Sequence, residues 1–300
     1  MEKRFKPDRA GWALIPGYFR GAFFVVSTLI LLVLLNVVQM ASLVVLPFHG
    51  GAFRRINREL ANFYWGLLVF IMHRIYQMEF IYTGDQVPAG ENAFLIPNHQ
   101  DFSDILVLMP FAKSKRRLGD MKWFVKDIIK YCPGPGWGML FLDCLYVKRN
   151  WNQDKDYIRS TFERINRNKV PCFLISFLEG TRITPEKLEA ARQWADGRGL
   201  PLPENVLIPR TRGFTASMEG LRGHLDAVYD LTLLHPDGVP TLWQIACGFV
   251  PDARIHVRRF PIAEVPEDEQ ATGAWLRDLF MDKDRLIAAT IAGIPVRAPV

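Results

Sequence analysis

At 300 residues, with 37 Lys and Arg against 31 Asp and Glu, the chain carries a net charge of +6 and is long enough for one large domain or two small ones around a buried core. The positive balance favours an acidic partner, and nucleic acid, anionic lipid or a phosphorylated substrate would each satisfy it. The four cysteines, Cys132, Cys144, Cys172 and Cys247, are dispersed and form no CxxC pair, which argues against a disulfide framework or zinc ribbon and for core or near-core thiols in a reducing compartment.

Between Gly21 and Phe53 there is no Lys, Arg, Asp or Glu, and "GAFFVVSTLILLVLLNVVQMASLVVL", residues 21 to 46, is almost wholly apolar. As a helix this run would extend about 39 Å, enough for a hydrocarbon core of about 30 Å. It exceeds the h-region of a secretory signal and reads as a retained anchor. After a turn marked by Pro47, Gly50 and Gly51 comes "ANFYWGLLVFIM", residues 61 to 72, too short to cross a bilayer, with Tyr64 and Trp65 suited to interface depth. Basic residues flank the first helix on both sides: Lys3, Arg4, Lys6, Arg9 and Arg20 before it, Arg54, Arg55 and Arg58 after it. The positive-inside rule then favours a helical hairpin dipping into one leaflet over a tilted single span, with both flanks in the cytoplasm.

Beyond about residue 80, short apolar runs alternate with helical patterns. "NAFLIP" (92 to 97), "CLYVKR" (144 to 149), "PCFLISFLE" (171 to 179), "NVLIP" (205 to 209), "AVYDLTLL" (227 to 234) and "RIHVRRFPI" (254 to 262) read as strands. "NQDKDYIRSTFERINR" sets Tyr157, Ile158, Phe162 and Ile165 on one helical stripe. "PEKLEAARQWADGRGLPLP" reads as a polar helix ending in a Gly/Pro loop, and "TGAWLRDLFMDKDRLIAATI" as an amphipathic helix covering the core. This alternation implies an α/β fold, a mixed and mostly parallel sheet flanked by helices. A membrane-embedded two-helix arm precedes it, which divides the chain into an arm over 1–78 and a body over 79–300.

The polar punctuation of these strands carries the chemistry. "NHQDFSD", residues 98 to 104, follows a buried strand, so His99 should lie at a strand's carboxyl end, where open α/β sheets hold ligands. With a helix starting near Asp101, Asp104 can fold back to the imidazole, fix its tautomer and stabilise its cation. The string alone also suits a loop histidine satisfied by its neighbours. A metal site would need further ligands, none of which stands out, and no GxSxG elbow presents a nucleophile. "FLISFLEGTR" runs a strand into Glu179, Gly180, Thr181 and Arg182, a glycine, hydroxyl and guanidinium set that can grip phosphate or form a solvated turn. Lys148 and Arg149 end one further strand, and Pro209, Arg210, Arg212 and Gly213 end another. The stretch "KSKRRLGDMKWFVK", with Lys113, Lys115, Arg116 and Arg117, reads as a basic loop, solvated or in contact with anionic headgroups or an acidic carrier protein.

Taken together and in this order, "NHQDFSD", "FLDCLYVKRNW", "FLEGTR" and "VLIPRTRGF" resemble the four blocks of the 1-acylglycerol-3-phosphate acyltransferase family. The flanking "DYIRSTFERINR", "YDLTLLH" and "HVRRFPI" are similar to a branch of lysophospholipid acyltransferases with an "LPRTKGF"-type fourth block, and the chain looks like a bacterial member of it. The resemblance covers roughly residues 60 to 290. It implies an O-acyltransferase that moves a fatty acyl chain from an acyl-CoA or acyl carrier protein thioester to a free hydroxyl of a lysophospholipid. It implies His99 as general base and Asp104 as its orienting partner, with Arg149, Glu179, Gly180, Thr181 and Arg182 at the glycerol phosphate. Pro209 and Arg210 would shape the acyl-donor site. No metal or cofactor is implied beyond the thioester. The expected setting is the cytoplasmic face of the inner membrane, with membrane lipids, lysophospholipid and an acyl carrier protein as partners and no nucleic acid. The sequence departs from relatives at Leu178, where many carry proline, and at Arg212, where many carry lysine.

Overall fold

The computed structural model describes residues 4–8, 11–148 and 150–294. Two long helices, α1 (Ile15–Ser42) and α2 (Gly50–Phe70), come first, α2 running on into a π-helical turn at Ile71–Ile75. There follow β1 (Glu79–Gly84), β2 (Ala93–Pro97), α3 (Asp104–Ser114), β3 (Met121–Lys126), α4 (Pro135–Leu140) and β4 (Leu145–Val147). The chain continues through α5 (Trp151–Arg167), β5 (Phe173–Ile175), α6 (Pro185–Asp196) and α7 (Thr211–Leu221). It ends with β6 (Ala227–Leu234), α8 (Leu242–Ala246), β7 (Asp252–Pro261) and α9 (Glu269–Ile291).

The strands form one sheet in the order β1-β7-β6-β2-β5-β3-β4, and every neighbouring pair is parallel except β6 with β7. The expected mixed, mostly parallel sheet is present. Strands β2, β5 and β6 are buried at every position, because helices cover both faces and leave no side on which a polar residue could alternate. On one face Leu95, Phe173 and Tyr229 pack with Leu68 of α2 and Phe111 of α3; on the other Phe94, Leu174 and Val228 meet Phe162, Phe214 and Phe280 from α5, α7 and α9. The Phe94 and Phe214 rings stand edge to face at 5.2 Å, a favoured aromatic geometry.

One charge cluster lies inside this core. Asp230, in the middle of β6, is fully buried and ion-paired both to Arg258 of β7 at 2.6 Å and to the fully buried Lys283 of α9. Lys283 also donates to the carbonyls of Ile96 (2.9 Å) and Leu231 (2.7 Å), so it pins α9 against β2 and the middle of β6. Burial pushes the Lys283 ammonium below its ordinary pKa while Asp230 pulls it back up.

Four expectations need correction. β1 and β3 are strands that the sequence pattern hid, and residues 205 to 209, expected as a strand, form a bend and loop that do not join the sheet. The helix expected from Asp101 starts at Asp104, since the Asp104 carboxylate accepts the amides of Gln100 (2.7 Å) and Asp101 (3.0 Å) and holds those residues in a turn. Cys132 is exposed, whereas Cys144, Cys172 and Cys247 are buried.

α1 belongs to the segment Gly11–Ser42, which is long and apolar enough to cross a membrane. It also lies along the body. Gly17 and Gly21 let its first turns approach Phe249 and Cys247, where a Cβ would collide at 2.1 Å and 2.6 Å. There Arg20 Nε donates to the Cys247 carbonyl at 3.0 Å. Near its other end, Asn36 Oδ1 accepts the Gly134 amide at 2.8 Å and Gln39 Nε2 donates to the Gly138 carbonyl at 3.4 Å. The opposite face exposes Phe23, Val26, Ile30, Val33, Leu34 and Val37.

Candidate active site

The site forms where β2 and β5 end. Asn98, the first residue past β2, is fully buried and exchanges two hydrogen bonds with the backbone of Leu233, 3.2 Å to its carbonyl and 2.7 Å from its amide. That anchor fixes the direction in which the chain leaves the strand. His99 comes next. Its Nδ1 lies 2.9 Å from Asp104 Oδ2, the same oxygen that accepts the Gln100 and Asp101 amides. Asp104 is fully buried at the first turn of α3, where the helix dipole favours a negative charge. An ionised carboxylate only accepts, so Nδ1 carries the hydrogen and Nε2 keeps a lone pair. The imidazole is stacked on Phe177, 3.9 Å between centroids, and Phe177 lies in turn against Trp123.

Glu179 was expected among the substrate-binding residues, but its carboxylate has other partners. It is buried, Oε1 accepts the His99 amide at 2.7 Å and Oε2 accepts the Leu207 amide at 2.9 Å. One side chain therefore ties the first block to the third and fourth. Burial pushes its carboxyl up to about 8, against the pull of those two amides. Gly180 follows with φ +70, and a Cβ there would stand 2.9 Å from Arg210 Nε, so the position needs glycine for both backbone and space. The Arg210 amide closes the contact on the Leu178 carbonyl at 2.8 Å.

His99 opens into a cavity of about 980 Å³. Phe124, Val147, Trp151, Ile158, Phe177 and Trp194 supply apolar wall; Thr181, Pro209 and Arg210 line it as well. So do Lys126, Lys187, Arg212 and Arg277, of which only Arg212 drew notice in the sequence. Lys187 donates to Thr181 Oγ1 at 2.7 Å. Among the described residues, Arg210, Arg212 and Arg277 have no carboxylate partner. Arg182 lies outside this lining. Its guanidinium is exposed and packs over the Phe102 ring at 4.4 Å, on the same loop as His99, and the Ile183 amide donates to the His99 carbonyl at 3.1 Å. Arg149 falls outside the described residues. Among the described residues no three His, Cys, Asp or Glu side chains converge as a metal site requires.

The loop is also held from behind by the chain that precedes α1. Phe5 is buried, its amide donates to the Val239 carbonyl and its carbonyl accepts from Gln244 Nε2, each at 3.1 Å. Arg4 Nη1 reaches Asp101 Oδ2 at 2.8 Å.

The cavity thus joins three properties: a histidine with a free ring nitrogen, an apolar wall that suits a hydrocarbon chain, and cations left for an anion. Comparison with known proteins points the same way. The Acyltransferase family profile matches residues 79–215, and an Acyltransferase C-terminus profile matches residues 247–289. A 1-acyl-sn-glycerol-3-phosphate acyltransferase 3 of Arabidopsis thaliana is 32% identical over 271 residues, 88% of this chain and 71% of that one. The human 1-acyl-sn-glycerol-3-phosphate acyltransferase gamma is 33% identical over 271 residues, 89% of this chain and 71% of the relative. The crystal structure of the 1-acyl-sn-glycerophosphate (LPA) acyltransferase PlsC from Thermotoga maritima shares the fold, with a TM-score of 0.50 at 12% identity, covering 85% of this chain and 95% of that one. On likeness of this extent the chain belongs to the 1-acyl-sn-glycerol-3-phosphate acyltransferase family and is an O-acyltransferase.

Proposed function

We propose that the protein acylates the free hydroxyl of lysophosphatidic acid with an acyl chain taken from an acyl-CoA or acyl carrier protein thioester. The relatives' activity supports the acceptor, and the observation that carries the mechanism is the His99–Asp104 pair facing a cavity with apolar walls and unpaired arginines. His99 Nε2 takes the hydroxyl proton as the oxygen attacks the thioester carbonyl. Asp104 stabilises the imidazolium, help worth about 10²–10⁴-fold. Collapse of the tetrahedral intermediate breaks the carbon–sulfur bond, and the proton held at Nε2 passes to the departing thiolate. A thiolate leaves readily, so the sequence of steps needs neither acyl-enzyme nor metal.

Arg210, with Thr181 and Lys187 beside it, binds the acceptor phosphate. A guanidinium offers paired donors to two phosphate oxygens. Pro209 and the aromatic wall accommodate the acyl chain, whose transfer from water is worth about 0.8 kcal/mol per buried CH₂.

Glu179 positions rather than binds. Arg149 belongs with the phosphate group by its place in the second block. The arm lies in one leaflet on the cytoplasmic face. Support for this comes from α1 being tied to the body near both ends and from basic Arg20, Arg54 and Arg55 flanking its apolar run.

The test is product analysis by mass spectrometry. Purified protein is given a mixed lysophospholipid pool with acyl-CoA, acyl carrier protein thioester or diacyl phospholipid as donor, beside a His99→Ala variant. Phosphatidic acid from a thioester donor, absent with the variant while vesicle binding is unchanged, is the expected result. Equal product from both proteins would remove the base, and product from the diacyl donor alone would make the enzyme a transacylase.

A further inference from the structure

β3 carries the chain from the wall of the cavity to the outside of the molecule. Phe124, Val125 and Lys126 line the cavity, and the next residues, Asp127–Tyr131, form a 3₁₀ turn that leads through "CPG" into α4. This stretch turns apolar groups outward: Ile128 is 66% exposed, Tyr131 68% and Leu140 50%, with Cys132, Pro133 and Pro135 exposed between them. Its inner side is rigidly held. Tyr146 Oη donates to the Gly136 carbonyl at 2.6 Å, and a Cβ at Gly136 would meet the Ile129 carbonyl at 1.9 Å. The outward display is therefore fixed by packing.

Two neighbours show what covers it. The stretch is bonded to α1 through Asn36 with Gly134 and Gln39 with Gly138, and Leu32 and Val33 lie within 4 Å of where a Gly134 Cβ would stand. Val33 belongs to the exposed apolar face of α1, so the two apolar surfaces are continuous. At its end the Phe141 ring lies tilted against Phe53 near the start of α2, 6.0 Å between centroids. Lysines border the patch: Lys126 is exposed, and Lys130 lies 5.1 Å over the Tyr131 ring while paired with Asp127 at 2.8 Å. Apolar residues beside a tyrosine with lysines at the margin match the interface of a bilayer, where aromatic rings sit at headgroup depth and ammonium groups meet anionic lipid.

We infer that residues 127–140 form an interfacial wedge that inserts into an anionic phospholipid surface beside α1, so that the lip of the cavity at Phe124–Lys126 stands at headgroup level. A lysophospholipid and an acyl chain then enter sideways from the leaflet without crossing water. This rests on α1 lying in lipid, and the experiment separates the two.

The full chain carries its own reporter. Cys132 is exposed within the wedge and the other three thiols are buried, so an environment-sensitive fluorophore on Cys132, in protein reconstituted into phosphatidylethanolamine and phosphatidylglycerol vesicles, reads the depth of this stretch. Quenching by nitroxide lipids labelled near the headgroup, with protection from aqueous iodide, is expected. Iodide access without lipid quenching would overturn the wedge. The same probe on Val33→Cys in a Cys132→Ser background reports α1: lipid contact there with water contact at Cys132 sinks the wedge alone, and water contact at both sinks the reading of α1. As a second measurement, the double variant Ile128→Glu, Tyr131→Glu should lose about tenfold in activity on vesicle-borne lysophosphatidate yet keep its rate on a short-chain, water-soluble one. Equal loss on both substrates, or no loss on vesicles, overturns the proposal.

Discussion

The two sides of the cavity are built on opposite principles. On the histidine side the orienting groups are tied inside the protein: Asp104 Oδ2 takes three donors, Glu179 takes two amides and Asn98 exchanges two bonds with Leu233, while Asp104 Oδ1 and Gln100 Oε1 are buried without a partner among the described residues. On the arginine side Arg210, Arg212 and Arg277 face the same space with no carboxylate partner among the described residues. On the proposed mechanism, a group that must hold one orientation during proton transfer is fixed in advance, and groups that must meet a phosphate keep their bonding capacity for it. Damage to the first side should therefore appear in kcat and damage to the second in KM.

The largest expected effect breaks the orienting carboxylate. Asp104→Asn keeps the shape but can donate to Nδ1 and so favours the wrong tautomer; kcat should fall about 10²–10⁴-fold with the fold retained, as circular dichroism and acyl-transfer kinetics would show. A loss confined to KM would contradict the division. Next in size is Arg210→Ala, which should raise KM for lysophosphatidate about 10–100-fold, the worth of a charge-assisted pair, with kcat nearly unchanged and Arg210→Lys recovering part of the loss. A fall in kcat alone would move Arg210 to the other side.

The smallest effect sharpens the comparison at Glu179. Its folded pKa, raised by burial to about 8, lies above the ordinary value of 4.5. Between those values the folded state binds more protons than the unfolded one, so this group's stabilising contribution is full below about pH 4.5 and is lost as pH rises through about 8. The slope is at most about 1.4 kcal/mol per pH unit. Thermal denaturation of the parent should show this decline between pH 6 and 8, and Glu179→Gln should flatten it. An unchanged slope in the variant would mean that the decline belongs to another group.

Much of this was legible in the sequence, for reasons that differ by residue. "AFLIP" announced a buried strand because nothing polar interrupts it, and "AVYDLTLL" read as a strand from its apolar and β-branched content although Asp230 and Thr232 lie within it. "MKWFVK" stayed hidden because Lys122, one of its charges, is buried, donating at 3.0 Å to the Leu142 carbonyl, a contact that no local pattern reveals. "EFIYTG" is an edge strand, half exposed along its length, and lacks a clear apolar run. "NVLIP" looked like a strand and is not, since the Leu207 amide goes to Glu179 instead of a neighbouring strand.

The spacing of His99 and Asp104 pointed to their contact because both lie within one turn-and-helix start. Phe177 under the imidazole, Lys126 at the lip and Arg277 from α9 come from distant parts of the chain. Only the order of strands in the sheet brings them to one cavity.

The residues ahead of α1 make the His99 loop a shared structure. Phe5 is buried and bonded to Val239 and Gln244, and Arg4 is clasped to Asp101, so a shift in how the apolar helix rides in its surroundings would tug on the segment that carries the imidazole. On the proposed mechanism this is a mechanical line between seating and turnover: trimming the first eight residues should leave the apolar helix in place and slacken the loop that carries His99.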